Sequence, residues 1–306
     1  NGVDAESQEA NIQLAWKRIS KYKSNGTKTP IRYNTQTPAT APTTTPTPVP
    51  AQPAQTLPTP IVTPAQTPTP APTQSAQNIN RNISWGAFLP NSSATDIATL
   101  ETSVGASMDI RAVFVGWGNG ASDFPSWLTS SIKSSGKTLL MYWEPAANGD
   151  TGNINQPGYN YDSITNGTWD SSIIAFAKAV KTYASPVILI PFDEMNGDWY
   201  PWSGTNNGNS PAKHNAAYKH LHDLFAAQGV TNVKWGWAPN NDSWPNTTAN
   251  DLTMYYPGDA YVDYVGVDGF NFNNPWVSYN QIFDKAMAKL AQYNKPIYIF
   301  SMASAE

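Results

Sequence analysis

Three features of the sequence predict an α/β fold of the (β/α)8 TIM-barrel type. Val187, Ile188, Leu189 and Ile190 form an unbroken branched run, the pattern of a strand covered on both faces. Seven apolar runs of this kind alternate with amphipathic or polar segments. The runs lie too far apart for two-residue hairpin turns, so crossover connections and parallel pairing are expected.

The elements follow in chain order. Residues 1–33 hold Ile12, Leu14, Trp16, Ile19 and Tyr22 among Lys and Arg, only loosely at helical spacing, and are predicted to be a frayed tail. The chain begins at Asn1 without a charged and apolar leader, so a signal peptide, if one existed, is expected to have been removed already. Residues 34–77 are Thr, Pro, Ala and Gln in near repeats. They cannot bury a core, and their prolines favour a disordered but stiff polyproline-like linker. The barrel is assigned to residues 78–306. Residues 83–89 are read as its first strand, followed by a helix with Ile97, Leu100 and Val104 on one face. Residues 112–118 and 138–144 make strands two and three, and residues 170–183 a helix burying Ile173, Ile174, Ala177 and Val180. After the fourth strand, Ser210 as N-cap, Pro211 in the first turn and Gly229 past the end delimit another helix. Residues 233–239 and 261–268 are strands five and six. Ile282, Phe283, Ala286 and Leu290 mark the next helix, and residues 296–300 the seventh strand. The chain stops at Glu306 without an eighth, which predicts a barrel truncated after strand seven.

Composition narrows the function. A net charge of -4, 13% charged residues and no cysteine exclude disulfides and thiolate metal sites. No basic cluster in the second half favours nucleic acid, and no apolar run approaches a membrane span. A monomer with neutral ligands, no cofactor and no metal is expected. His214, His220 and His222 lie on one predicted helix and are read as a solvated face, since His214 and His222 lack the i, i+4 spacing of a metal pair.

The chemistry gathers after strand four. Phe192, Asp193, Glu194, Met195, Asn196, Gly197, Asp198, Trp199, Tyr200, Pro201 and Trp202 place a carboxylate at a strand's C-terminal tip among aromatic rings. In a parallel barrel that tip carries catalytic groups, so Glu194 reads as a general acid acting on a sugar. The neighbouring rings and Asp193 would favour its protonated form. Trp117, Trp143, Trp199, Trp202, Trp237 and Trp244 are candidate sugar platforms, and Asp193 and Asn196 are assigned to substrate binding. Asp268 and Glu144, at the ends of strands six and three, are expected to position sugar hydroxyls. Glu306 is a weaker carboxylate candidate.

The stretch from Phe192 to Trp202 resembles the acid/base motif of the glycoside hydrolase family 26 β-mannanases and lichenases, and the resemblance runs from about residue 83 to the C-terminus. It implies a retaining (β/α)8 enzyme with an acid/base Glu ending strand four and a nucleophilic Glu ending strand seven. The resemblance makes Glu194 the acid/base but sets Ser301 where the family's nucleophile stands. Two more departures accompany it. Asp193 replaces the family's His, and Phe270 replaces a Tyr that would hydrogen-bond the nucleophile. A serine hydroxyl carries no charge to stabilise an oxocarbenium-like transition state. The sequence therefore predicts a secreted, linker-tethered hydrolase of β-1,4-linked polysaccharide, with mannan favoured over mixed-linkage glucan, impaired at Ser301. The competing reading is a carbohydrate-binding pseudoenzyme with the same aromatic cleft. A mere cell-surface spacer is disfavoured by the aromatic residues at strand ends.

Overall fold

The structure is a computed structural model that describes residues 83–89, 94–118, 124–272 and 275–304. The expectations for residues 1–33 and 34–77, and for Glu306, fall outside the described residues. Seven strands, β1 (Gly86–Phe88), β2 (Ile110–Gly118), β3 (Thr138–Ala147), β4 (Val187–Pro191), β5 (Val233–Trp237), β6 (Tyr264–Asn271) and β7 (Ile297–Ser304), pair in sequence order. Every pairing is parallel. Helices α1 (Ala94–Val104), α2 (Ser126–Ser134), α3 (Tyr161–Thr165), α4 (Asp170–Tyr183), α5 (Pro211–Ala227) and α6 (Tyr279–Leu290) lie between them. This is a (β/α)8 barrel truncated after its seventh strand, and among the described residues no pairing joins β1 to β7.

Side-chain alternation sorts the apolar residues into two layers, because successive residues of a strand point to opposite faces. Leu139, Met141, Trp143, Val187, Leu189, Trp235, Trp237, Val265 and Val267 pack with helix residues such as Ile173, Phe176, Leu221 and Ile282. Leu140, Tyr142, Ile188, Ile190, Ala238 and Phe300 form a second, strand-only cluster on the other face. Both faces of β4 are therefore covered, and each of its five residues is buried.

Local signals set most helix ends. The Ser210 side chain accepts from the Lys213 N–H, Pro211 occupies the first turn of α5, and Gly229 just beyond has φ +66. At α6 the Ser278 and Gln281 side chains cap each other's backbone reciprocally. Two helices were not anticipated. The sequence of α2 is rich in Ser and Thr, which lower helix propensity by bonding back to carbonyls, as Ser130 does to Ser126 (2.6 Å) and Ser134 to Ser130 (2.9 Å). The five residues of α3 are too few for a periodic pattern to show. Val104 is a correction: it is 50% exposed at the end of α1 rather than part of a buried stripe.

The reading of the three histidines as a solvated face also fails at His214. It is fully buried on α5, with the rings of Tyr161, Phe192, Tyr218 and Tyr255 at centroid distances of 5.4 to 6.0 Å. Burial pushes its pKa down from 6.5 to about 4, opposed only by a hydrogen bond to Asn215. In the folded chain the imidazole is thus neutral, while in the unfolded chain it takes up a proton as pH falls through 6.5.

Two measurements follow. Between pH 6.5 and 4 the unfolded state binds the extra proton, so stability present above pH 6.5 is lost on acidification by about 3 kcal/mol through this one group. Denaturant unfolding of the chain and of His214→Phe should show that much smaller an acid loss in the variant; parallel curves would contradict it. Trp143, which stacks on Phe176 of α4 at 4.4 Å, should on truncation to Ala lower unfolding free energy by about 3–5 kcal/mol.

Candidate active site

The site begins where the regular strand stops. Beyond β4, Phe192 and Glu194 adopt left-handed backbone conformations, φ +58 and +52, on either side of Asp193. Such conformations cost on the order of 1 to 3 kcal/mol each for residues with side chains and persist only where surroundings enforce them. The enforcement is visible on every side. The Glu194 N–H donates to the Ala238 carbonyl (2.8 Å), and the Trp202 indole N–H donates to the Asp193 carbonyl (2.7 Å). Gly204 N–H donates to the Met195 carbonyl (2.8 Å), and the Trp244 N–H and Asn250 side chain both donate to the Asn196 carbonyl (2.8 and 2.9 Å). The Phe192 ring is held edge-on by Tyr161 and His214.

This turn buries Glu194 and points its carboxylate at Trp199, whose indole N–H donates to Oε2 at 2.7 Å. Gly197 makes that approach possible, since a Cβ there would lie 2.5 Å from the indole ring carbons. Gly204 serves similarly at Tyr255, whose hydroxyl would meet an added Cβ at 2.0 Å. The Tyr255 hydroxyl donates to Asn250, so these contacts form one connected support under the motif. Trp199 itself stays half-buried.

Three other sequence-nominated residues lie in the C-terminal halves of β3, β6 and β7. Glu144 ends the inward-facing series of β3 after Leu140 and Tyr142 and is fully buried. Asp268 lies on β6, buried, with its N–H donating to the Pro239 carbonyl (3.0 Å) and its carbonyl accepting from Asn241 N–H (2.8 Å). Ser301 on β7 is its register partner. Phe300 is an extra residue at a register shift: Val267 pairs with Ile299, but Asp268 pairs with Ser301. The bulge sends Phe300 into the strand-only core beside Ile190 and brings Ser301 level with Asp268. Phe270 lies two residues further along β6, half-buried, 6.0 Å from Phe272. Asp193 is buried and near enough to Tyr161 for its charge to add to burial and Tyr255 in holding that phenol well above its usual pKa.

Five nominations need correction. Trp117, Trp143 and Trp237 are at most 1% exposed and point to the helix layer, where they meet Trp169, Phe176 and Tyr293 respectively. An odd number of residues along a strand separates them from its inward face, so they cannot act as sugar platforms. Trp202 is fully buried, stacked on Tyr200 at 4.4 Å, with its N–H engaged on Asp193. Asn196 is also fully buried: Oδ1 accepts from the Asn240 N–H (2.8 Å), while Nδ2 donates to the Asn240 carbonyl (3.0 Å) and to Ser243 Oγ (3.1 Å). Its amide ties the end of β4 to the segment after β5 and, fully buried, presents no surface to a sugar. The partners in that clamp, Asn240, Ser243 and Asn250, went unnoticed in the sequence, where Asn in a polar loop carries no distinguishing pattern. Trp244, half-buried and hung from Asn196, joins Trp199 as the second partly exposed indole here. Among the described residues no group of three or more His, Cys, Asp or Glu is arranged to hold a metal ion.

Comparison with known proteins agrees with this architecture. The chain is 36% identical over 234 residues to Endoglucanase H of Acetivibrio thermocellus, covering 73% of this chain and 24% of that protein. It is 30% identical over 90 residues to the mannan endo-1,4-beta-mannosidase of Bacillus subtilis strain 168, covering 28% of this chain and 23% of that protein. The chain thus spans about a quarter of the length of these relatives. Among solved structures, a β-mannanase from Bacteroides ovatus superposes with a TM-score of 0.52 at 18% identity, over 67% of this chain and 65% of that one. A β-mannanase from a symbiotic protist of the termite Reticulitermes speratus gives 0.54 at 15% identity, over 72% and 79%. These two likenesses carry the fold. The family profile described as glycosyl hydrolase family 26 matches residues 101–306, and with two thirds of its length so matched this chain belongs to that family.

Proposed function

We propose that this domain is a secreted module that binds β-1,4-linked polysaccharide, with Glu194 as the acid at the point of cleavage and Ser301 impairing the covalent route. Buried Glu194, held by the indole N–H of half-exposed Trp199, is the observation that carries the reading. Retaining hydrolysis requires a second carboxyl group about 5 to 5.5 Å from the acid, able to attack the anomeric carbon. Ser301 stands on the strand where the family resemblance expects that group, and its hydroxyl has neither the charge nor the reach. Binding does not depend on it, because stacking on Trp199 and Trp244 and hydrogen bonds to Asp268 and Glu144 are unaffected by the substitution.

For the polymer, the sequence resemblance favours mannan, and the similarity to named mannanases supports it. The similarity to an endoglucanase extends over far more of the chain, which supports a mixed-linkage β-glucan equally well. Isothermal titration with manno- and cello-oligosaccharides distinguishes the two.

Trp199→Ala, in a chain shown to remain folded, should weaken binding of the preferred oligosaccharide by roughly tenfold or more, equivalent to about 1.4 kcal/mol. Heat of binding from neither oligosaccharide series would overturn the proposal. Ser301→Glu, with Phe270→Tyr to orient the new carboxylate, should raise turnover by on the order of 10⁴-fold, since loss of a nucleophile costs about that much. A folded, binding variant as slow as the parent would show that Ser301 does not occupy the nucleophile's place.

A further inference from the structure

The loops that follow β4, β5 and β6 open on one end of the barrel, because the strands are parallel and adjacent in the sheet. The first two each carry a half-buried indole, Trp199 after β4 and Trp244 after β5. The third carries Trp276, which at 63% is the one tryptophan among the described residues left mostly exposed. Single apolar side chains are common on surfaces and need no explanation by themselves. The backbone around Trp276, however, is held on the side of the helix it leads into. Asn271, the buried last residue of β6, donates through Nδ2 to the Val277 carbonyl (2.8 Å), which folds the loop back onto the strand's tip. Val277 is turned into the strand and helix core, and Ser278 starts α6 with its reciprocal cap to Gln281. Tyr279, 49% exposed, rests its ring against buried Phe283 at 4.9 Å. The composition of the segment is equally specific. Between Asp268 and Asp284 the chain has no charged residue, and its polar side chains there are amides and hydroxyls, from Asn271, Asn273, Asn274, Ser278, Asn280 and Gln281 among others.

We propose that Trp276 is a further sugar platform, on which a pyranose of a β-1,4-linked chain stacks at a distance from the units held near Glu194. The proposal rests on the proposed function, from which it takes the class of ligand. An indole face offers a pyranose a flat apolar surface, and a backbone tied down by Asn271 and the α6 cap lowers the ordering cost of that contact. The uncharged surroundings suit a neutral polyhydroxyl chain, since amide and hydroxyl groups can each donate to and accept from sugar hydroxyls. A charged protein or nucleic acid partner would find no ionic complement in this segment. Because the three indoles stand on successive loops, a long oligosaccharide laid across them reaches Trp276, whereas a short one occupies only the places beside Glu194. Trp276 is therefore a determinant of preference for chain length, with no part in bond cleavage itself.

The test is isothermal titration of the full chain with cello- and manno-oligosaccharides from disaccharide to hexasaccharide. Affinity of the unaltered chain should rise with length, and Trp276→Ala should take away the last part of that rise. The expected loss is roughly tenfold for the hexasaccharide, with affinity for the shortest ligand that binds kept within about twofold. Trp276→Phe, which keeps a ring, should recover part of the loss. Denaturant unfolding of both variants should match that of the unaltered chain, because the side chain is mostly exposed. Three results would each overturn the proposal while leaving the binding reading intact. They are hexasaccharide binding by Trp276→Ala as tight as that of the unaltered chain, an equal loss at every ligand length, or a dimer of the unaltered chain in sedimentation that Trp276→Ala dissociates with no change in hexasaccharide affinity. The last would assign the exposed ring to a second copy of this chain. No binding of any oligosaccharide by the unaltered, folded chain would overturn both readings.

Discussion

The side-chain amide of Asn196 ties the end of β4 to the segment leaving β5, and the geometry of the candidate site depends on that tie. A strand running straight on from Ile190 would alternate its side chains in and out and would not turn Glu194 toward Trp199. The chain instead passes through two left-handed residues, a conformation that needs external enforcement. The Asn196 amide supplies part of it by pairing with both backbone groups of Asn240, and the Trp202 and Trp244 N–H groups supply more. Because the Asn196 and Trp202 bonds are buried, leaving one of those groups unpaired would carry a desolvation penalty, so the contacts hold together as a set.

That dependence explains how the aromatic residues are divided. Most of the large rings near strand ends are structural, filling the layer between strands and helices or bracing the turn after β4. Trp199 and Trp244 remain partly open. The division follows from residue parity along each strand and from the few places, Gly197 and Gly204, where the absence of a side chain lets a ring approach the backbone closely. His214 belongs to the same bracing layer, and its burial as a neutral ring links the support beneath the motif to acidic pH.

Ser301 is paired with Asp268 through a one-residue register shift that sends Phe300 into the strand-only core. On the proposed reading the scaffold and the acid are kept and only the side chain delivered at that place differs, a change of chemistry confined to one residue.

The sequence by itself determined the parallel α/β barrel, the order and approximate limits of its strands, and the placing of Glu194 just beyond the end of β4. Those rest on signals carried within a few residues, namely fully apolar runs, the caps Ser210, Pro211 and Gly229, and a carboxylate closing a buried run. The resemblance to a family motif also supplied the expectation that Ser301 and Phe270 depart from it, because a motif fixes position without coordinates. Only the tertiary structure decided which Trp residues face the helices, that Asn196 is a clamp rather than a sugar ligand, that His214 is buried, and that Asp268 and Ser301 are neighbours. Each of these is set by partners on a different element or by a one-residue register shift. Neither leaves a periodic trace in the chain, since a side chain's surroundings come from strands and helices tens of residues away.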